Sequence, residues 1–596
     1  MLSRRWLYPL PLLFLLLFYF YPLAAIFGLS FAPEGQLELA ALQKLVSSSF
    51  YWQRLWFTTW QATLSTALTL LLALPGAYVF ARYDFPGKTT LRTLSTLPFV
   101  LPTVVVANAF TALLGSNGVV NGWLARLALP PIEIEQTIWM ILLAHVFYNY
   151  SVALRIISGF WQNLSPALAE AAQMLGASPR RAFWAVTLPL LWPAVSAAAV
   201  LVFIFTFTSF GVVLILGGPR FATLEVEIYR QARDLFNLPV AAALSLVQIV
   251  FTFVLMVFYT RTQARLARPL KWRGKTAVFP RTPRQKLVVA SNLALMLLLL
   301  ALPLLALLLR SFTTPDGPAL TFYRELFINR RGSLFFVAPG TAVFNSTAIA
   351  LTSMALAVTL GLITAHLLTQ KEIGDWRLEI HHPPISNLQS PISQSPNLPI
   401  SPHPTPHTPL PTPPRSPAPL LPRLLSLLDP LFMLPLATSA VTLGFGYIIA
   451  LNKPPLNLRS SLLLVPIAHT LVGLPFVIRA VLPALRAISP SLREAAAMLG
   501  ADPARVWRFI DWPLIRRAVL VGAVFAFTVS MGEFGATLFI ARPQTPTMPV
   551  AIFRFLSQPG AINYGQALAM SSLLMLVCAV GFVLIERFRV GDEGEF

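Results

Sequence analysis

Long apolar runs separated by short polar stretches dominate this chain of 596 residues. The runs fall at about 6–31, 57–81, 94–115, 136–158, 189–216 and 239–260 in the first half. In the second half they fall at about 287–309, 341–369, 427–451, 460–482, 513–541 and 562–586. Each reaches the ~20 residues that an α-helix needs to cross a bilayer. The pattern therefore predicts an all-α polytopic membrane protein with about twelve transmembrane helices, its termini on one side. Arg4 and Arg5 precede the first run, and no small-residue cleavage pattern closes it. It reads as an anchoring span rather than a removed signal peptide.

Composition agrees with that pattern. At 56% hydrophobic, 11% charged and a mean hydropathy of +0.69, the chain is too apolar for a soluble protein of this size. The net charge of +21 is spread among apolar spans and forms no basic stripe with interleaved aromatics, so no nucleic-acid partner is expected. Short inward-facing loops collect basic residues. With the N-terminus inside, inside segments hold 26 of the 44 Lys and Arg and outside segments 14, while Arg155, Arg479, Arg516 and Arg517 fall within spans. That predicts a multi-pass membrane protein with both termini cytoplasmic. Arg261 to Lys286 reads as a basic cytosolic linker lying near anionic membrane lipid. The single cysteine, Cys578, sits in an apolar run, which leaves no disulfide framework or cysteine metal site.

The polar stretches repeat. Ser165 to Ala194 recurs at Ser489 to Ala518 with a fixed offset of 324 residues (494 − 170). Glu170-Ala171-Ala172 and Gly176 return as Glu494-Ala495-Ala496 and Gly500, Arg181 as Arg505, and Pro189 as Pro513. Each copy predicts a short Ala-rich helix opened by Ser-Pro, closed by Gly, and followed by Pro at a new helical turn. Ala144-His145 and Ala468-His469, Arg155 and Arg479, and Phe210-Gly211 and Phe534-Gly535 keep the same offset. Phe57 to Leu64, however, matches Phe344 to Leu351 at 287, so the second half carries about 37 extra residues (324 − 287). The Pro-, Ser- and Thr-rich stretch 381–417 fits that size and reads as a disordered insertion in a cytosolic loop.

The paired loops resemble the EAA loop of bacterial ABC importer permeases. Two copies in one chain resemble the fused permeases of the iron(III) and thiamine type, with two tandem six-helix type-1 transmembrane domains. The resemblance implies a first domain at 1–260 with its loop at 165–188, the linker at 261–286, and a second domain at 287–596 with its loop at 489–512. It implies that Glu170, Ala171, Gly176 and Arg181, with Glu494, Ala495, Gly500 and Arg505, couple the membrane bundles to a separate homodimeric ABC ATPase. It also implies an external substrate-binding protein and alternating access. ATP and Mg would belong to the ATPase, with no cofactor and no catalytic residue in this chain. The substrate implied is iron(III) or thiamine. Because Gly532 to Thr537 is also similar to sulfate, molybdate and tungstate permeases, an oxyanion remains the alternative substrate class.

Candidate chemistry elsewhere is sparse. Gly87-Lys88-Thr89 lacks the first glycine of a phosphate-binding loop, since position 82 is Arg82. Glu533 lies inside an apolar run, where a carboxylate costs at least ~2.5 kcal/mol, so it should face a cavity or a partner. Its repeat counterpart is Ser209. Candidate pathway residues are Ser209, Glu533, Asn108, Tyr148 and Asn149, joined by His145, Thr206, Thr208, His469 and Thr528. A structural alternative pairs Glu533 with Arg479 or another basic group as structural glue near the membrane surface, and leaves both histidines as satisfied core residues. No His, Asp or Glu spacing spells a metal site. A channel or ion-coupled secondary transporter is the alternative class, but it leaves the paired loops unexplained, and a membrane-bound enzyme would need a cluster of nucleophile, base or metal ligands that the sequence does not offer.

Overall fold

A computed structural model describes residues 8–33, 35–266, 277–314, 317–328, 338–380, 428–452, 454 and 456–588. The 381–417 insertion and residues 267–276 of the linker lie outside the described residues. The described chain is almost wholly helical, its one sheet being the two-residue pair Thr313–Thr314 and Gly317–Pro318. Eleven helices are long and apolar enough to cross a membrane, and a bent pair makes a twelfth. They are Pro9–Phe31, Ser49–Arg82, Thr103–Arg126, Ile138–Gln162, Pro179–Phe207 and Leu238–Arg261 in the first half. Pro283–Leu300, Pro339–Thr369, Leu464–Arg486, Pro503–Gly532 and Ala561–Phe588 follow in the second.

Proline explains where these spans depart from the hydropathy runs. The run expected at 94–115 is broken: a short helix, Leu97–Val100, ends where Pro102 holds Leu101 extended, and the span proper starts at Thr103. The run at 427–451 breaks at the equivalent place into Leu428–Leu436 and Ala440–Ala450, bent by 96°. Leu97-Pro98 and Leu434-Pro435 are 337 residues apart. The net excess of 37 is therefore 50 extra residues before this break (337 − 287) and 13 fewer after it (337 − 324). The 13 correspond to the helical loop Val119–Arg126 of the first half, which the second half replaces with turns.

Spans five and eleven start about ten residues earlier than their apolar runs, at Pro179 and Pro503. The polar turn after each repeated loop runs straight into the membrane helix through a π-helical stretch, Phe183–Thr187 and Trp507–Asp511. Pro189 and Pro513 lie just beyond. Each lacks the N–H that would bond the carbonyl four residues back, so the ladder widens in the turn before it. Both spans also end early, at Phe207 and Gly532, before short helices Gly211–Leu216 and Gly535–Ile540.

The two bundles interlock. Span one packs against span six of its own half and against Ala440–Ala450 of the other. Leu302–Phe312 repeats this arrangement, against Ala561–Phe588 of its own half and Thr103–Leu114 of the first. Each half thus lends its opening helix to its neighbour. At the centre lie Ile138–Gln162 and Leu464–Arg486, the most buried spans. The described end of the linker does not lie free: Val278 forms a parallel bridge with Tyr83, its N–H and C=O engaging Arg82 and Asp84 of the first bundle.

Candidate functional site

The repeated loops fold alike. In the first, Ala167–Met174 is helical and Gly176 follows at φ +89°. In the second, Pro490–Met498 is helical and Gly500 follows at φ +81°. The closing bonds match: Gly176 donates to Gln173 O and Ala177 to Ala172 O, as Gly500 does to Ala497 O and Ala501 to Ala496 O, all at 3.0 Å. This is the left-handed closure that favours glycine. Next, Ser178 Oγ accepts the Arg181 N–H at 3.3 Å and Asp502 Oδ1 the Arg505 N–H at 2.7 Å, which caps the turn leading into the span.

Glu170, Ala171, Gly176 and Arg181 are exposed, as are Glu494, Ala495, Gly500 and Arg505. So is an apolar pair at the tip of each helix that the sequence reading passed over. Met174 and Leu175 are each 90% exposed, and Met498 and Leu499 each 89%. Their signal was an apolar pair directly before the left-handed glycine of a polar loop.

The copies differ in how the loop is tethered. Arg493 Nε donates to Asp511 Oδ1 at 2.8 Å, tying the second loop's helix to the π-helical stretch behind it. At the same offset the first half has Ala169 and Thr187.

The second feature is a cavity of about 350 Å³ between the bundles. Phe210 and Phe534, repeat counterparts, stack across the bundle interface at 5.8 Å and 26°. Each also meets the counterpart of the other's neighbour: Phe210 packs on Tyr229 at 5.6 Å, Phe534 on Phe553 at 5.5 Å. Gly211 and Gly535 follow these phenylalanines, and both need to be small. A Cβ on Gly211 would overlap the Thr103 side chain, and one on Gly535 would come within 3.1 Å of Ala440 Cβ.

Of the expected pathway residues, Ser209, Tyr148 and Asn149 line this cavity, as do Thr208 and His145. His145 is held at both nitrogens, Nδ1 to Ser65 Oγ at 2.9 Å and Nε2 to Ser209 Oγ at 2.8 Å. Tyr148 donates to Leu101 O at 3.1 Å and Asn149 Nδ2 to His145 O at 2.8 Å, while Asn149 Oδ1 is buried without a hydrogen-bond partner. Asn108 does not line the cavity; it is buried and donates to Ser571 Oγ at 2.9 Å. Thr206 and Thr528 bond carbonyls of their own helices.

Glu533 has a buried basic partner, as the structural alternative expects, but it is His469 and not Arg479, whose Nε points at Met433 Sδ. Glu533 does not line the cavity. Its carboxylate accepts the N–H groups of Ala536 at 2.8 Å and Thr537 at 2.9 Å, and the Thr537 hydroxyl. His469 Nε2 lies 3.3 Å away, its Nδ1 bonded to Ser530 Oγ. The carboxylate is spent capping the helix Gly535–Ile540, whose first N–H groups have no other acceptor.

The sequence reading also missed Glu225, which is 1% exposed and lines the cavity. It lies on the short helix Leu224–Tyr229, in a stretch counted as an outside loop.

Comparison with known proteins fits this geometry. Residues 73–268 match the family of binding-protein-dependent transport system inner membrane components. Over almost the whole chain there is likeness to thiamine transport system permease proteins. That of Brucella abortus (strain 2308) is 24% identical, over 92% of this chain and 90% of that protein. That of Escherichia coli K12 is 25% identical, over 90% and 89%. The chain resembles a fused, two-bundle ABC importer permease. A crystal structure of a bacterial ABC transporter that imports alginate is 19% identical to 45% of this chain and covers 98% of its own, with a TM-score of 0.38.

Proposed function

We propose that this chain is the permease subunit of a binding-protein-dependent ABC importer and that it carries thiamine. The observation that supports the class is the pair of repeat-related loops whose eight motif residues are all exposed in an otherwise interlocked bundle. Four large apolar side chains stand beside them in water, each of which would contribute ~1.5–3 kcal/mol if another protein covered it. The covering partner is a pair of identical ATPase subunits, one seated on each loop. Glu170, Ala171, Gly176 and Arg181, with Glu494, Ala495, Gly500 and Arg505, form the two docking elements. ATP and Mg stay on the ATPase, the loops and both termini face the cytoplasm, and an external binding protein delivers the solute.

Closure of the ATPase pair draws the two loops together. Each loop is continuous with a membrane span through its capped turn and π-helical stretch, so the pull reaches the short helices after Phe207 and Gly532. Those helices carry Phe210 and Phe534, whose stack joins the bundles beside the cavity. Separating them opens the cavity to one side, and their return closes it.

Thiamine rests on the full-length likeness to thiamine permeases and on the cavity wall. That wall holds aromatic rings, hydroxyls and one carboxylate, and no Lys or Arg among the described residues. An oxyanion would meet no positive charge there, which disfavours the sulfate and molybdate reading. Iron(III) fits a hard, multi-carboxylate site, and a single glutamate does not make one.

The test is reconstitution of the chain with its ATPase and binding protein in proteoliposomes, followed by ATP hydrolysis and uptake with thiamine, iron(III) or molybdate. ATP-dependent thiamine uptake is expected. Stimulation by iron(III) or molybdate instead would reassign the substrate. Uptake without any ATPase would move the chain to the secondary-transporter class.

A further inference from the structure

Glu225 is a buried carboxylate in the cavity wall. Gln248 Nε2 donates to its Oε1 at 2.5 Å and the Ser439 side chain lies beside it. No ion pair joins it to a cation among the described residues, whereas its neighbour Glu227 has Arg54 at 3.7 Å and Gln231 at 2.8 Å. A buried carboxyl without a counter-charge is held towards its protonated form, and a cation placed beside it restores the carboxylate.

The repeat indicates that the fold does not need it. Thr223 to Tyr229 corresponds to Thr547 to Phe553 at the offset of 324, and both stretches build the same short helix. The anchoring is the same: Leu224 N–H donates to Thr58 Oγ1 at 2.9 Å, and Met548 N–H to Ser346 Oγ at 2.7 Å. Yet Glu225 corresponds to Pro549 and Glu227 to Ala551. Gln248, which holds Glu225, corresponds to Ser572. The second bundle makes this element without any carboxylate.

Two further features of the wall point to the same kind of solute. Asn149, 3% exposed, presents a buried Oδ1 with no partner, which is an acceptor waiting for a donor. Phe99, Phe205, Phe210 and Phe534 supply ring faces, which attract cations and stack on flat heterocycles.

We propose that Glu225 is the charge-recognition residue of the cavity, pairing with a cationic heteroaromatic solute whose amino donor meets Asn149 Oδ1. The assignment rests on the permease reading above and adds a substrate class to it. Thiamine, with a thiazolium cation and an aminopyrimidine, is a member of that class.

The test separates this proposal from the permease reading by measuring binding to the full chain in nanodiscs, with no ATPase or binding protein. Radiolabelled thiamine is the cationic probe, and thiochrome, its uncharged and fluorescent oxidation product, the neutral one. Wild-type protein should bind thiamine, Glu225→Gln at least tenfold more weakly, and both should bind thiochrome equally and poorly. Equal thiamine binding by Glu225→Gln overturns the proposal, as does wild-type protein that prefers thiochrome or binds no thiamine. In those cases the permease reading stands if the complete transporter still imports thiamine. Should Glu225→Gln fail to fold, carbodiimide labelling of the wild-type chain read by mass spectrometry replaces it. Thiamine should protect Glu225 and thiochrome should not; labelling unaffected by thiamine overturns the assignment.

Discussion

Replacing Gly176 and Gly500 together with valine tests whether the backbone turn, rather than any side chain, makes the loops work. Both glycines lie at positive φ, +89° and +81°, and a Cβ added to either meets nothing within 4 Å. The penalty is therefore conformational, ~1–2 kcal/mol per site for an ordinary L-residue and at the upper end for a β-branched one. That disfavours each native closure by a factor of roughly 5–30. The two loops belong to different halves of the chain and each closes through its own hydrogen bonds, so the two penalties add. No buried contact is lost, so membrane insertion and yield should match wild type. In proteoliposomes with ATPase and binding protein, ATP-dependent uptake should fall at least fivefold. The control is the pair Gly176→Asn and Gly500→Asn, because asparagine visits the left-handed region far more readily. It should recover most of the loss. Uptake by the valine pair at the wild-type rate would refute the reasoning, and so would equal losses for valine and asparagine, since bulk rather than backbone would then be the cause.

The tether between Arg493 and Asp511 should make the second loop the more rigid; Asp511→Ala removes a charged hydrogen bond worth ~1.5–3 kcal/mol. Amide exchange should accelerate at least tenfold over residues 490–498 and stay unchanged over 167–174, and acceleration of both alike would count against it. Changing Met174 and Leu175 to serine should weaken ATPase association at least tenfold in co-purification, with unaltered thermal stability of the chain, because both side chains are 90% exposed. A drop in stability would mean that the pair packs within this chain. Deleting residues 381–417 should leave uptake within about twofold, since that composition cannot build a core. A large loss would mean that the insertion docks a partner.

Much of the fold was legible because a bilayer imposes length and hydrophobicity on every span. The loop repeat was legible because a left-handed closure demands glycine at one position in each copy. Span boundaries were not, because hydropathy ignores backbone donors. Pro102 broke an apolar run that looked continuous, and Pro189 and Pro513 sit beyond π-helical stretches that carry the polar turns into the membrane helices. Glu533 shows the limit on sites. A carboxylate in an apolar run signals that some group must satisfy it, but not whether that group is a ligand or the N–H groups of Ala536 and Thr537. Glu225 went unseen because Leu224–Tyr229 is only six residues long and amid loops, although aligning it with Thr547 to Phe553 exposes the odd carboxylate.

On the proposed reading, the duplication accounts for most of the polar wall gathering on one side. A cavity beside a pseudo-twofold interface begins with two equivalent half-sites, but a solute small enough for about 350 Å³ can engage only one. The other set is then free of that constraint. In the first half Thr103, Tyr148, Asn149, Thr208, Ser209 and Glu225 line the wall. Their counterparts are Ala440, Val472, Gly473, Gly532, Glu533 and Pro549, of which only Ala440 and Gly532 line it and Glu533 has turned inward to cap a helix. Positions that serve geometry rather than recognition stayed paired: Gly176 with Gly500, Gly211 with Gly535, Phe210 with Phe534. If Glu225 recognises the solute as proposed, the first bundle supplies most of its polar contacts and the second, Thr438 and Ser439 apart, an apolar moving wall, so a substitution at a polar position of the first bundle should alter which solute passes. The same change at its counterpart should alter only how well the bundles close.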